Sequence, residues 1–265
     1  MKRIKLFPNN NEKSKEVAKV LTDKLLENGF EIVEEDYILA IAIGGDGAFL
    51  RMVKETSFNS DIYYIGVNTG TLGFLQEIKP DKLDEFIYNL INKNYKVDEI
   101  GILETDVITK ESTSKFFSLN EVVIRERELN TAMFDIYVDS NFLETFVGDG
   151  MLISTSSGSS AYNLSFGGAL IYNTLHTVQL TPIAPLNSKA YRNLLNSVVF
   201  PEDKKIELYP RENKDNILIS VDGENKKYDD VLSIKTCIKD RKIKCLRMKN
   251  YDYVNIINEK FLTDL

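Results

Sequence analysis

The sequence is poor in the residues that several common protein chemistries require. Its 265 residues include two cysteines, one histidine and no tryptophan. A structural zinc site usually takes four cysteine or histidine ligands, so we expect none here. His176 is the only histidine and no Gly-x-Ser-x-Gly motif occurs, which argues against a Ser-His-Asp hydrolase and favours a structural role for His176.

Positive charge is also in deficit, because the formal net charge is -7. A nucleic-acid-binding domain normally presents a basic face, so we expect no nucleic-acid partner. An acidic protein that binds a phosphorylated small molecule must use backbone N–H groups or a metal to do so.

Long apolar runs are missing as well. No segment approaches the roughly 20 apolar residues that span a membrane, and the first seven residues lack an apolar stretch of signal-peptide length. We therefore expect no membrane contact and a cytoplasmic location. Cys237 and Cys245 flank a predicted hairpin turn at 239–242, which permits a disulfide, but a cytoplasmic location favours two reduced thiols.

The usual signatures of nucleotide-binding proteins are absent too. No Gly-Lys dipeptide occurs, which excludes a Walker-type phosphate loop, and no Gly-x-Gly-x-x-Gly occurs, which leaves no support for an ordinary dinucleotide-binding Rossmann unit.

What the sequence does contain is a change of pattern near residue 95. Before it, predicted strands (2–7, 38–43, 62–67) alternate with predicted helices (14–28, 48–55 and one starting at Pro80); after it, strand patterns dominate, including 115–127, 232–238 and 243–248. The pattern predicts an α/β N-terminal domain over 1–95 and a β-rich, β-sandwich-like C-terminal domain over 96–250. The segment 251–265 is amphipathic, and we expect it to pack back on the N-terminal domain.

The strongest motif is Gly-Gly-Asp-Gly at 44–47, between a buried strand and a helix. Ligands of open α/β sheets bind at the carboxyl ends of strands. Glycines such as Gly44, Gly45 and Gly47 let the backbone approach a ligand closely, and the helix N-terminus attracts phosphate. The Asp46 carboxylate would repel that phosphate, so it makes sense there if it orients or deprotonates a hydroxyl or holds a metal. An Asp-Gly surface turn is the alternative.

Three further stretches are rich in polar groups. Asn120 and Glu121 end an apolar run, and Gly-Asp-Gly at 148–150 precedes a stretch at 154–160 with six hydroxyl side chains. Such a dense set of neutral hydrogen-bonding groups suits a base or a ribose, although a serine-rich surface loop has the same composition. The segments 167–168 and 182–185 look like tight turns.

In this order, the segments resemble the bacterial NAD kinases. The resemblance covers most of the chain and rests on residues 44–47, 68–74, 120–121, 148–150, 154–162, 167–168 and 180–185. Gly-Gly-Asp-Gly alone is also similar to lipid kinases and phosphofructokinases, so the ordered set is what identifies the family. The resemblance implies the same two domains, an active site between them, and a homodimer or homotetramer.

The resemblance also implies roles for individual residues. Asp46 would accept the proton of the 2′-hydroxyl of the adenosine ribose of NAD, with ATP as the phosphoryl donor and Mg²⁺ bridging the ATP phosphates. Asn120 and Glu121 would bind the adenosine, Asp149 the nicotinamide end, and Tyr191 would reach a neighbouring subunit's site. The other residues expected to contact NAD are Gly47, Phe74, Ser157, Ser160, Ala161, Tyr162, Ser165 and Ala184.

Three positions depart from the family pattern. Ser156 stands where the family usually has proline, Ser160 where threonine is common, and Val147 where relatives often carry a basic residue. The first two predict a less rigid loop, and the third puts one electrostatic contact to the ligand in doubt. Two alternative functions stay open: a lipid or sphingoid-base kinase that shares the Gly-Gly-Asp-Gly loop, and a non-catalytic NAD(P)-binding regulator.

Overall fold

The computed structural model describes residues 2–70, 73–128, 130–211 and 215–262. Thr71 and Leu72, in the middle of the resembling segment 68–74, and the last three residues of the segment 251–265 lie outside these ranges. The chain forms two compact units: unit 1 is Met1–Ile100 with Lys242–Leu265, and unit 2 is Gly101–Arg241. The predicted limits at 95 and 250 lie near the ends of two long strands, Tyr95–Thr109 and Val231–Met248, and the divisions between the two units fall inside these strands.

Unit 1 is a parallel α/β layer. Its strands and helices are β1 (Arg3–Pro8), α1 (Glu12–Glu27), β2 (Glu31–Ile32), β3 (Leu39–Gly44), α2 (Asp46–Glu55), β4 (Tyr63–Asn68), a 3-10 turn at Pro80–Lys82, α3 (Leu83–Ile91), the start of β5 (Tyr95–Thr109), the end of β16 (Val231–Met248) and α5 (Tyr253–Phe261). The strand order is β2-β1-β3-β4-β16, and every neighbouring pair is parallel.

The sequence explains these elements locally. All six residues of β3 are buried, as expected of a central strand covered on both faces. Helix α1 begins where the Asn11 side chain accepts the N–H of Ser14. Helix α3 buries Leu83, Phe86, Ile87 and Leu90 at helical spacing against the core of unit 1.

Unit 2 is β-rich. Its elements after β5 are β6 (Thr113–Ser118), β7 (Glu121–Glu126), β8 (Ala132–Val138), β9 (Asn141–Gly148), β10 (Gly150–Thr155), a 3-10 turn at Ser157–Ser160, α4 (Tyr162–Ser165), β11 (Thr177–Ile183), β12 (Val198–Pro201), β13 (Ile206–Pro210), β14 (Ile217–Val221), β15 (Glu224–Tyr228) and the start of β16. One antiparallel sheet has the order β12-β11-β10-β7-β14-β15. A second set of antiparallel pairs places β13 between β16 and β8. In the same set, β8 also pairs with β9, and β5 pairs with β6. The predicted fold class, α/β followed by β-rich, is confirmed.

The strand predicted over 115–127 is wrong, since the structure has two strands there. Strand β6 pairs with β5, whereas β7 pairs with β10 and β14. The break falls where the Asp222 carboxylate accepts the N–H groups of Leu119, Asn120 and Glu121 at 2.7, 2.8 and 3.1 Å. A side chain a hundred residues away thus takes over hydrogen bonds that would otherwise continue a strand.

The hairpin predicted over 233–248 is also wrong. Residues 231–248 form the single strand β16, so the polar run 239–242 is not a turn. Cys237 and Cys245 are both free thiols. The tight turn predicted at 182–185 is corrected as well, because Pro182 and Ile183 end strand β11.

Each unit has its own hydrophobic core. In unit 1 the core includes Leu21, Ile41 and Phe86, and in unit 2 it includes Phe134, Phe146 and Ile153. None of the helices in the described ranges is both long and apolar enough to cross a membrane.

Candidate active site

The Gly-Gly-Asp-Gly loop lies at the carboxyl edge of the parallel sheet of unit 1. Strand β3 ends at Gly44, and helix α2 begins at Asp46 with Gly45 as its N-cap residue. Strands β1 and β3 are neighbours in the sheet, and the chain leaves them toward opposite edges. From β1 it passes through α1 to β2 on one side, and from β3 it passes through α2 to β4 on the other side. Such a reversal of strand order opens a crevice at the carboxyl edge, where ligands of this fold class bind.

The Asp46 side chain is held in one orientation by backbone N–H groups. Its Oδ2 accepts the N–H of Phe74 and its Oδ1 accepts the N–H of Leu75, both at 3.0 Å. The amide of Gln76 donates to the carbonyl of Gly45 at 2.8 Å and ties the same two segments together. Each carboxylate oxygen can accept more than one hydrogen bond. Asp46 can therefore still accept a hydrogen bond from a substrate hydroxyl.

Glycine is required at two positions around Asp46. A Cβ on Gly73 would lie 2.1 Å from Asp46 Oδ1, and one on Gly44 would lie 2.6 Å from the Cβ of Ala48. By contrast, a Cβ on Gly45 or Gly47 would meet no described atom within 4 Å. The first pair of glycines permits close packing of the loop, and the second pair leaves open space beside it.

Phe74 is covered by helix α5. Its side chain is 6% exposed, and its ring centroid lies 5.6 Å from that of Tyr253 and 5.7 Å from that of Phe261. Lys260 of the same helix places its Nζ 4.6 Å from the Phe74 ring centroid and 3.9 Å from Asp46 Oδ2. The predicted contact between Phe74 and NAD stays a prediction, because the ring already packs against α5.

In unit 2, Asn120 and Glu121 form the corner between β6 and β7. Asp222, which holds this corner through the three N–H groups described above, has a φ of 45° and so occupies the left-handed region at the end of β14. Asn120 Oδ1 and Glu121 Oε2 are buried and have no hydrogen-bond partner among the described residues. Buried polar atoms normally have partners, so these two atoms fit a site that a polar ligand completes.

Glu121 carries an unusual charge state. Burial, with a further contribution from the Asp222 carboxylate, raises the pKa of Glu121 to about 8, although the backbone N–H of Tyr162 donates to it. At pH 7 the Glu121 carboxyl is therefore mostly protonated. It can then donate a hydrogen bond to a base or a ribose oxygen as well as accept one.

The serine-rich turn at 157–160 packs directly on Asn120. The Thr155 hydroxyl donates to the carbonyl of Leu119 at 2.7 Å and accepts the N–H of Gly158 at 3.0 Å. A Cβ on Gly158 would lie 2.1 Å from the Asn120 carbonyl oxygen, so only glycine allows this approach. The structure thus brings the turn and the Asn120-Glu121 corner together.

Serine stands at position 156, where the family usually has proline. Ser156 has a φ of −58°, which is within the range of proline. Its hydroxyl donates to the carbonyl of Leu175 and accepts the N–H of Thr177 at 3.3 Å. These hydrogen bonds tie the turn to residues 175 and 177, and the loss of rigidity expected at this position stays a prediction.

The remaining predicted contacts of unit 2 fall into groups. The first group lies around the serine-rich turn. In this group Ser157 is buried, Ser160 and Ala161 are half-buried, and Tyr162 and Ser165 are exposed.

A second group lies at the other end of β10. Asp149 and Ala184 are both exposed, and the N–H of Asp149 donates to the carbonyl of Ile183 at 3.0 Å. At about 3.3 Å per residue, the length of β10 separates Asp149 from the serine-rich turn by roughly 20 Å. Only an extended ligand can contact both ends.

Val147, at the position where relatives are often basic, is buried. The Asn193 side chain accepts the N–H of Val147 and donates to its carbonyl, each at 3.0 Å.

Some residues of the site have no signal in the sequence. Asp222 stands in an Asp-Gly dipeptide that indicates a turn, but its contact with residues 119–121 spans a hundred positions. Lys260 lies in a short amphipathic helix, and nothing in its neighbourhood along the chain connects it with Asp46. Within the described ranges, no group of three or more His, Cys, Asp or Glu side chains lies close enough together to hold a metal ion.

Comparison with known proteins identifies the family. Residues 5–95 match the model of the ATP-NAD kinase N-terminal domain, and residues 119–244 match that of the ATP-NAD kinase C-terminal domain. The chain belongs to the NAD kinase family. An NAD kinase of Finegoldia magna is 41% identical over 98% of this chain and 98% of its own length, and NAD kinase 2 of Bacillus subtilis is 30% identical over 98% of each.

Solved structures agree with this family at the level of the fold. Yeast NADH kinase in complex with NADH covers 100% of this chain and 89% of its own chain with a TM-score of 0.87 at 20% identity. An NAD kinase of Archaeoglobus fulgidus in complex with ATP covers 97% of this chain and 98% of its own, with a TM-score of 0.77 at 20% identity. The predicted resemblance to the NAD kinases is confirmed.

Proposed function

We propose that the protein transfers the terminal phosphoryl group of ATP to the 2′-hydroxyl of the adenosine ribose of NAD, giving NADP and ADP. Family membership supports NAD as the acceptor, and the ATP complex of the Archaeoglobus fulgidus relative supports the donor. The observation that carries the proposal is the Asp46 carboxylate, which two backbone N–H groups orient beside open loop space at the carboxyl edge of the sheet.

Asp46 acts on the acceptor hydroxyl late in the reaction. A carboxylate is a far weaker base than the alkoxide of a ribose hydroxyl, so it cannot remove the proton of that hydroxyl in the ground state. Asp46 therefore first orients the hydroxyl and takes its proton as the new O–P bond forms. The bond between the terminal phosphorus and the bridging oxygen breaks, and ADP leaves.

The two groups of polar residues in unit 2 suit the two ends of an extended dinucleotide. The Asn120-Glu121 corner and the serine-rich turn offer hydroxyls, a protonated carboxyl and an unpaired amide oxygen to the adenosine. Asp149 and Ala184 lie at the far end of β10 and would contact the nicotinamide half.

Magnesium is the metal that this chemistry requires. Mg²⁺ usually binds through one or two carboxylates and the substrate's phosphates and keeps several waters. The described residues contain no group of three or more His, Cys, Asp or Glu side chains that could hold a metal ion, which fits a metal held mainly by the ATP phosphates and water. When bound, the metal would offset the negative charge of the ATP phosphates.

The protein is further proposed to be a cytoplasmic homodimer or homotetramer. Tyr191 belongs to an exposed apolar segment that also includes Leu186, Leu194 and Leu195, and such patches commonly mark interfaces. Light scattering on the purified chain would test the assembly, and a monomer at micromolar concentration would refute it.

The first experiment combines purified protein with ATP, magnesium and NAD and detects NADP with an NADP-specific dehydrogenase. We expect the wild type to form NADP and Asp46→Asn to lower turnover by about 10²-fold or more, the scale of a lost general base. NAD binding, measured by titration, should remain. Since asparagine offers one oxygen to two N–H groups, an unchanged Tm is needed to show that the loop has kept its fold.

Full turnover in Asp46→Asn would remove this residue from the mechanism. If folded wild type binds NAD but forms no NADP, other donors and NADH come next, and failure with all of them would favour the regulator. Transfer of labelled phosphate from ATP to lipid vesicles would instead identify the lipid kinase.

A further inference from the structure

Helix α5 places a positive charge beside the Asp46 carboxylate. Lys260 Nζ lies 3.9 Å from Asp46 Oδ2 and 4.6 Å from the centroid of the Phe74 ring. Both the Lys260 and the Asp46 side chains are 30% exposed, so a ligand can reach them. The separation is longer than a hydrogen bond, and the ammonium therefore keeps its donors for another acceptor.

The position of Lys260 is defined by packing rather than by the ion pair. Tyr253 and Phe261, at the two ends of α5, both contact the Phe74 ring. The helix begins where the Asp252 carboxylate accepts the N–H of Val254 at 2.9 Å, and Glu259 pairs with Lys79 at 3.2 Å. Packing and capping thus hold α5 in place and bring Lys260, the second-last residue of the helix, close to Asp46.

The loop itself supplies no side chain with positive charge. Residues 44–47 contain no basic residue, and no Gly-Lys dipeptide occurs in the chain. Arg51 of α2 directs its guanidinium elsewhere, to the Pro8 carbonyl at 3.1 Å and the Asn9 side chain at 3.3 Å. A terminal phosphate placed next to the Asp46 carboxylate meets like charge, and Lys260 brings a positive charge to 3.9 Å from that carboxylate.

The reaction brings a phosphate into this region. A hydroxyl bonded to Asp46 must lie about 3–3.5 Å from the phosphorus it attacks, so the oxygens of the transferring group come within the reach of a flexible lysine side chain. Lysine binds phosphate as a compact point charge. A cation aimed at the charge that develops in the transition state lowers the barrier more than it strengthens ground-state binding.

We propose that Lys260 is a catalytic residue whose ammonium contacts the terminal phosphoryl group of the nucleoside triphosphate during transfer. The inference rests on the proposed phosphoryl transfer and adds a residue to it. Lys260 takes no part in the proton transfer: the O–P bond forms at the acceptor hydroxyl, the proton of that hydroxyl passes to Asp46, and the electron pair of the broken P–O bond leaves with the nucleoside diphosphate.

The test uses Lys260→Met, which keeps most of the length of the side chain without its charge, and Lys260→Arg, which keeps the charge. We expect Lys260→Met to lower kcat about 10²-fold with little change in the KM for NAD, and Lys260→Arg to retain part of the rate. Glu259→Gln is the matched control, because it breaks the pairing of α5 with Lys79 and leaves Lys260 intact. It should keep wild-type kcat.

A binding measurement separates this role from a structural one. The proposed contact involves only the terminal phosphoryl group, so Lys260→Met should weaken the binding of MgATP and leave that of MgADP unchanged, as measured by calorimetric titration. Equal losses for both nucleotides, or an unchanged kcat, would overturn the proposal. If Lys260→Met fails to fold, Lys260→Gln replaces it in both measurements.

The two proposals fail in different ways. If wild type forms no NADP but binds MgATP, the phosphorylation of NAD is refuted, and the ATP-to-ADP affinity ratio still decides whether Lys260 contacts the terminal phosphoryl group. If wild type forms NADP and Lys260→Met does so at the same rate, only the role of Lys260 is refuted. If wild type binds no MgATP, the Lys260 contact is refuted as well.

Discussion

At the scale of single residues, the best-defined feature is the orientation of Asp46. The N–H groups of Phe74 and Leu75 each donate to one carboxylate oxygen, and Gly73 leaves the space that the carboxylate occupies. The chemistry assigned to Asp46 therefore depends on a segment about 28 positions further along the chain.

Gly73→Ala tests that dependence. The new methyl group would lie 2.1 Å from Asp46 Oδ1, so the carboxylate must move. We expect NADP formation to fall by about 10²-fold, which is the effect of misplacing a catalytic group by about 1 Å. The control is Gly70→Ala, whose Cβ would lie 3.9 Å from Asn68 Oδ1, an ordinary contact. Similar losses in both variants would show that the effect is not specific to Asp46.

Glu121 makes the stability of the protein depend on pH. Its pKa rises from 4.5 in the unfolded chain to about 8 in the folded protein, mainly through burial. A group with a raised folded pKa stabilises the fold at low pH, and this contribution is lost as pH rises from about 4.5 to about 8. Glu121→Gln imitates the protonated carboxyl and has no such loss.

Thermal unfolding across pH measures this effect. We expect the Tm of Glu121→Gln to match that of wild type near pH 5 and to exceed it by about 5 °C at pH 9. The exposed Glu16, changed to glutamine, should follow the wild-type curve at every pH. A difference between Glu121→Gln and wild type that stays constant from pH 5 to pH 9 would contradict the raised pKa.

At the scale of elements, helix α5 packs on Phe74 and places Lys260 beside Asp46. Tyr253 is 4% exposed and anchors the helix against Phe74, and the same helix carries Lys260. The helix has only nine residues, and a peptide of that length is not a stable helix in water, so tertiary packing must hold it.

Tyr253→Ala should loosen α5. Removing a buried aromatic side chain costs about 3 kcal/mol of the free energy of unfolding, and urea unfolding followed by circular dichroism can measure it. Val254→Ala is the control on the same helix, since Val254 is 62% exposed, and its cost should stay below about 0.5 kcal/mol. Equal costs for the two substitutions would mean that α5 does not pack on Phe74 in solution.

The serine-rich turn shows how an element can keep its geometry while its sequence departs from the family. Proline fixes φ through its ring, whereas Ser156 keeps a similar φ through hydrogen bonds from its hydroxyl to residues 175 and 177. The sequence pattern does not predict strand β11, because Pro182 is a typical loop signal. Pro182 is the second-last residue of this strand. The Pro182 nitrogen carries no hydrogen, and the loss of one hydrogen bond is tolerated near a strand end.

At the scale of the whole molecule, the chain builds two compact units with separate cores, and β5 and β16 run from one to the other. Gly101 stands at the division in β5 and the polar run 239–242 at the division in β16, yet both strands continue through these residues. The pattern of apolar and polar residues in a strand reports which faces are buried, and it does not report which neighbours bury them. The local pattern therefore predicts domain limits at the ends of such strands, whereas the divisions between the units lie inside them.

The amino-acid pattern alone is enough to predict the fold class, the parallel α/β arrangement of the first part and the Gly-Gly-Asp-Gly loop after a buried strand. These features depend on local signals: hydrophobic periodicity, capping residues and glycines at turns. Three other features are visible only in the folded chain: Asp222 breaks the strand at 119–121, residues 231–248 form one strand, and Lys260 lies beside Asp46. Each of these joins residues far apart in the chain, and such contacts are selected by packing and hydrogen bonding in the folded molecule, for which no local pattern is required.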